Sequence, residues 1–186
     1  MNRNKRISKP RKINPTYFVF CEGKTERSYI EYLRAKYRLP IHIDFQIAKS
    51  ITEKHISSYK KNKANHPKDK TYLVYDLDVP EMLGKLQKIK SAIILSSNPC
   101  FELWYLLHFQ KQEAKISSEE CVQKLKKHFS KYAKDSFDRE FKNKIENGHV
   151  KAIARASKLE THENPSSQLY IFIKELEGFK NQNKFK

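Results

Sequence analysis

The chain has 186 residues, 38% of them apolar and including 11 Phe and 10 Tyr, which is enough for one domain with a core of its own and excludes a disordered chain. Lys and Arg number 38 against 21 Asp and Glu, and the resulting charge of +17 attracts polyanions, with the phosphate backbone of nucleic acid the foremost candidate. No stretch reaches the length of a membrane span and the basic start, MNRNKRISKPRK, leads into no apolar signal core, so the expected location is cytoplasmic, off the membrane.

Elements alternate along the first part of the chain. After a basic tail comes a strand at about Thr16 to Cys21, then a helix from Lys24 or Thr25 to Arg38 with Tyr29, Ile30, Leu33 and Tyr37 on one face. Pro40 begins the strand IHIDFQIA, followed by a basic helix near Thr52 to Ala64 and the strand Thr71 to Tyr75, which ends in DLDVP. Pro80 suits the first turn of a short helix reaching Ile89, although Gly84 weakens it. The strand Ser91 to Leu95 and the turn SSNP lead into FELWYLLHF, which is apolar almost all round and reads as a buried helix. Strands alternating with helices in this way predict an α/β fold, a parallel sheet covered by helices.

From Ser117 the alternation stops. Ser117 and Glu120 form a capping box, and Cys121, Val122, Leu125, Phe129 and Tyr132 mark the apolar face of the helix behind it. Helices are expected around Phe137 to Glu146 and Val150 to Thr161, with Asn147-Gly148 as a break, and from about Pro165 to Glu177 with Leu169, Phe172, Ile173 and Leu176 inward. The organisation is a basic tail over 1–14, an α/β core over 15–110 and a helical extension over 111–186 packed on the core.

Glu22-Gly23-Lys24-Thr25 has the ending of a phosphate-binding P-loop, but Phe18 occupies the place of its first glycine and the apolar strand reaches Glu22, so no loop is left to wrap a phosphate. What remains is an acid at the carboxyl end of a strand, where parallel sheets place ligands. Asp76 and Asp78 flank Leu77 at the end of the third strand. An extended Asp-x-Asp directs both carboxylates to one side. Acids converging on one edge repel unless a cation lies between them, and hard oxygen donors suit Mg²⁺ or Mn²⁺. The alternative is that Asp76 and Asp78 cap the next helix. Cys21, Cys100 and Cys121 form no Cys-x-x-Cys pair and read as small core residues rather than ligands.

The segments FVFCEGKTERSYIEYL, YLVYDLDVP, LSSNPCFELWYLLHF and ENPSSQLY occur in an order that resembles the topoisomerase-primase (Toprim) fold, and more closely the RloB family of small Toprim-like proteins from bacterial defence loci. The resemblance implies metal-dependent cleavage of nucleic acid, with Glu22, Asp76 and Asp78 as catalytic metal ligands. Glu26 lies one helical turn after Glu22 and resembles the second acid of Toprim nucleases of the overcoming-lysogenization-defect type. Glu102, among the apolar neighbours Phe101, Leu103 and Trp104, needs a partner, either the metal or a basic side chain. His108 reads as a structural histidine, with a proton-transfer role as the alternative.

For nucleic-acid contacts the candidates are Arg11 and Lys12 in the tail, Lys60, Lys61, Lys63, Lys68 and Lys70 in the basic stretch, and Lys24 beside the acids; a solvated basic face is the plainer reading of each. The family setting implies an AAA-type ATPase as partner, because this chain carries no ATPase domain, and leaves self-association open. The reading is thus a Toprim-type endonuclease of anti-phage defence, DNA or RNA unspecified. A non-catalytic nucleic-acid-binding or regulatory subunit is the alternative, with a strand transferase or primase subunit as a third.

Overall fold

A computed structural model describes residues 14–39 and 42–183; the tail candidates Arg11 and Lys12 lie outside them. Strands β1 (Thr16–Cys21), β2 (His42–Ile47), β3 (Lys70–Val74) and β4 (Ile93–Ile94) form one sheet in the order β2-β1-β3-β4, every pair parallel. Cys21 is in register with Ile47 on one side and Val74 on the other, so the residues after all three strands emerge along one edge.

Strand side chains alternate between faces, and the two faces bury different layers. Tyr17, Val19, Cys21, Tyr72 and Val74 pack into the larger cluster, with α1 (Lys24–Tyr37), α4 (Glu102–Phe109), α6 (Arg139–Ala156) and α7 (Leu169–Asn183). Phe18, Phe20, Leu73 and Tyr75 pack on the other side, with α2 (Glu53–Lys60) and α3 (Met82–Gln87). The central strands β1 and β3 are covered on both faces, as a parallel sheet requires, while the outer strands β2 and β4 stay partly exposed. The larger layer centres on α4, where Leu103, Trp104, Tyr105, Leu106 and Leu107 are all buried.

Several boundaries differ from the sequence reading, among them the end of α6, at Ala156 rather than Thr161. Asn147-Gly148 does not break a helix: α6 runs without interruption, and Gly148 is where it touches α4, since a Cβ there would stand 2.4 Å from the His108 carbonyl oxygen. Glycine serves close approach in this place rather than a turn. Residues 166–167 are not the start of the last helix but a short strand, β6, antiparallel to β5 (Ser97–Asn98), with Ser97 facing Ser167. The basic helix α2 ends at Lys60 instead of running on to Ala64. The capping box of Ser117 and Glu120 is formed as read, at the head of α5 (Ser118–His128), and Phe129 and Tyr132 stay buried beyond its end.

Candidate metal and nucleic-acid site

At the carboxyl edge of the sheet lies a cavity of about 390 Å³. Six carboxylates line it among the described residues: Glu22 after β1, Glu26 in the first turn of α1, Asp76 and Asp78 after β3, Glu102 at the head of α4, and Asp135 between α5 and α6. Lys24, Lys49 and Lys134 line the same cavity. All five acids read from the sequence thus come together, from segments far apart in the chain.

Local geometry fixes each acid. The Asp76 N–H donates to Glu22 Oε2 at 3.1 Å, so the ends of β1 and β3 are tied through a side chain. Beyond β3 the ladder continues irregularly, with Leu77 N–H donating to Ser97 O at 2.8 Å and Ser97 N–H to Tyr75 O at 3.0 Å. Because Ser97 is also held by Ser167, the late ENPSSQLY segment supports the Asp76 backbone from the side.

Glu26 reaches back to accept the Gly23 N–H at 3.1 Å, which caps α1. A Cβ on Gly23 would itself stand 3.1 Å from that oxygen, so the glycine of the EGKTE turn makes room for the carboxylate. Glu102 is 3% exposed and is answered by a neutral and a cationic partner: Tyr132 Oη donates to Oε1 at 3.0 Å, and Lys134 Nζ stands 3.8 Å away. The loop carrying Lys134 is pinned to α1 by Thr25, whose Oγ1 donates to Asp135 Oδ1 at 3.2 Å and accepts the Asp135 N–H at 3.3 Å.

The electrostatics are those of crowded, half-dry carboxyls. Burial first, then the charges of Glu26, Glu22 and Glu102 among its neighbours, pushes Asp76 up to about 10. Burial and the charges of Glu102 and Glu22 push Glu26 up to about 7. Burial raises Glu22 as well, with Asp78 adding to it against the hydrogen bond from the Asp76 N–H. Asp76 Oδ1 is buried without a hydrogen-bond partner. Lys134 is raised, chiefly by Glu102.

The donor set fits a hard divalent cation in kind: every acid offers oxygen, the carboxyls destabilise one another, and one buried oxygen has nothing to bind. In position the fit is incomplete. No group of three or more His, Cys, Asp or Glu side chains among the described residues is arranged to hold a metal ion.

The lysines of the basic stretch lie elsewhere. Lys70 opens β3 while Asp76 follows it, and six extended residues at ~3.3 Å each put the two about 20 Å apart, at opposite edges of the sheet. Lys60 donates to Thr71 Oγ1 at 3.3 Å, Lys63 pairs with Asp44, and Lys70 Nζ stands 2.6 Å from Glu175 Oε1. Lys61 and Lys68 are exposed. Of the basic residues named from sequence that lie among the described residues, Lys24 is the one beside the acids. His108 is buried in the last turn of α4, outside the acid cavity's lining, its Nδ1 2.8 Å from Trp104 O and its ring held down to about 3 by burial.

Sequence reasoning missed Lys49, Thr25, Tyr132, Lys134 and Asp135. Lys49 follows β2 as Glu22 follows β1, so the strand-end rule would have found it; the loop after α5 carries no such signal.

A parallel four-stranded sheet covered on both faces, with acids gathered on its carboxyl edge, defines an α/β protein of Toprim-like fold. The family model described as RloB-like protein matches residues 17–176, and the chain belongs to that family. No curated protein and no solved structure matches it. No helix of the described residues is long and apolar enough to cross a membrane.

Proposed function

We propose that this protein is a metal-dependent nuclease that cleaves phosphodiester bonds in nucleic acid, as an effector of bacterial anti-phage defence. One observation carries the reading: Glu22, Glu26, Asp76, Asp78 and Glu102 converge on a single cavity, with Asp76 Oδ1 buried and unpartnered. Glu22, Asp76 and Asp78 would hold Mg²⁺ or Mn²⁺, with Glu26 and Glu102 beside them. A bound divalent cation supplies water activation and stabilises the charge of the leaving oxygen.

The chain's own groups do the rest. Lys24, Lys49 and Lys134 stand at the cavity where substrate phosphates must pass, and offset the repulsion between phosphate and carboxylate. Glu26, at about 7, exchanges its proton near neutral pH and can accept one from a water held in the cavity. Tyr132 fixes the Glu102 carboxylate so that it does not swing into solvent. The defence role and an AAA-type ATPase partner rest on the family resemblance, and an ATPase partner is consistent with a sequence in which no P-loop is found.

A second reading, a non-catalytic nucleic-acid-binding subunit, is favoured by Lys134, which already places a cation beside Glu102, and by the lack of an ion-ready trio among the described residues. The deciding experiment incubates the full chain with mixed DNA and RNA and either Mg²⁺ or Mn²⁺, with and without the ATPase. Metal-dependent cleavage that disappears in Asp76→Asn supports the nuclease; binding that is indifferent to both metal and Asp76→Asn supports the binding subunit.

A further inference from the structure

A second cavity, of about 260 Å³, opens where the loop after α4 meets the C-terminal half of α6, and it shares no residue with the acid site. Its wall is aliphatic, from Leu107, Ala154 and Leu159. Around the mouth stand Lys111, Lys151, Arg155 and Lys158, with Glu113 the single acid lining it among the described residues. Lys151 and Arg155 are four apart on α6, and Lys158 follows in the turn just beyond its end, where its N–H donates to Arg155 O at 3.2 Å, so the three stand along one side of the opening. None of the four is in an ion pair among the described residues. Arg155 is anchored by donating from Nη1 to Leu107 O at 2.6 Å, which fixes this side of the opening against the end of α4.

An apolar hole ringed by unpaired cations suits a ligand with an apolar projection and carboxylates on either side. We propose that this is a docking site for an acidic segment of a partner protein, which inserts one aliphatic or aromatic side chain between Leu107 and Leu159 and lays its acids against the lysines. Charge excludes the nearer occupants. The flanking segments 1–12 and 180–186 are basic, with Arg3, Lys5, Arg6, Lys9, Arg11 and Lys12 in the first and Lys180, Lys184 and Lys186 in the second, and a second copy brings its own +17. Nucleic acid is the less suitable polyanion here, because no aromatic ring among the described residues lines the hole to stack a base and a phosphate backbone would engage the rim alone. The proposal does not depend on the nuclease reading.

The test uses the full chain and two short synthetic peptides rich in Asp and Glu, one with a central Leu and one with Ser in its place, with binding followed by fluorescence anisotropy. The Leu peptide should bind about tenfold tighter or better, as expected for burying one such side chain. Ala154→Phe, an exposed helix position that fills the hole, should remove that difference while keeping the charge-driven binding. Lys151→Glu with Lys158→Glu should weaken both peptides. Equal binding of the two peptides by the wild-type chain, or a Leu advantage that survives Ala154→Phe, overturns the proposal. A single-stranded oligonucleotide whose binding falls with the charge reversal, while the peptides bind alike, makes the rim a phosphate-binding surface and overturns it too.

Discussion

Replacing Asp76 by Asn should stabilise the metal-free protein while abolishing its response to metal. Asp76 is raised from its ordinary 3.8 to about 10, by burial and by the acids around it. A carboxyl raised on folding gives stability that is whole below its unfolded pKa and is lost as pH rises toward the folded value. The window here runs from about pH 4 to about pH 10. At about pH 7 some three pH units of that window have been crossed, and at 1.36 kcal/mol each the ceiling on the loss is about 4 kcal/mol. Hydration of an open cavity and movement of Lys134 reduce this, to about 2 kcal/mol. Asn keeps the shape and the backbone N–H bonded to Glu22 but has no proton to lose. At ~2–4 °C per kcal/mol for a chain of this size, Asp76→Asn should melt about 4–8 °C higher without metal at neutral pH, and its stability should fall less steeply between about pH 5 and pH 9. Differential scanning fluorimetry across that range, with EDTA or Mn²⁺, reads both effects. An unchanged melting temperature with an unchanged pH slope would refute the electrostatic argument. If instead Mn²⁺ stabilises the variant as much as the wild type, the strain is real but Asp76 is no ligand.

Ion binding near neutral pH should release about one to two protons, because Asp76 and Glu26 carry them in the metal-free cavity; calorimetry in buffers of differing ionisation enthalpy measures the number, and zero would contradict the ligand assignment. Lys24→Ala with Lys49→Ala should flatten the salt dependence of nucleic-acid binding more than Lys60→Ala, Lys61→Ala and Lys63→Ala together, since the first pair stands at the cavity and two of the second set are engaged by Thr71 and Asp44; the reverse ranking in salt titrations would move the binding face to the other sheet edge. Gly148→Ala should cost about 2–3 kcal/mol in urea unfolding, as its new methyl meets the His108 carbonyl inside ordinary contact distance, and a neutral result would mean that α6 can slide. His108→Leu should flatten the acid limb of stability: a histidine lowered to about 3 lets stability rise with pH from about 3 up to its ordinary 6.5, and the variant's unfolding profile across that interval checks it.

The α/β class and the acid edge were legible in the sequence because they depend on short-range rules. Alternation of apolar strands with amphipathic helices specifies a covered parallel sheet, and parallel pairing aligns the strand ends, so Glu22, Asp76 and Asp78 follow from strand boundaries that the sequence marks clearly. Glu26 followed from helical spacing, and the Ser117 capping box from local backbone chemistry. What tertiary structure decided were the features that depend on which surfaces meet. Gly148 has the appearance of a breaker until α4 lies against it, and Ser166 and Ser167 become a strand because Ser97 and Asn98 are there to pair with. The basic stretch is conspicuous in composition, yet strand direction carries Lys70 to the edge away from the acids, where it closes on Glu175. Lys134 and Asp135 reach the cavity from a loop whose sequence has no period and no motif. Thr25 and Glu102 hold them there, and a contact between residues so distant in the chain exists only once the helices have packed.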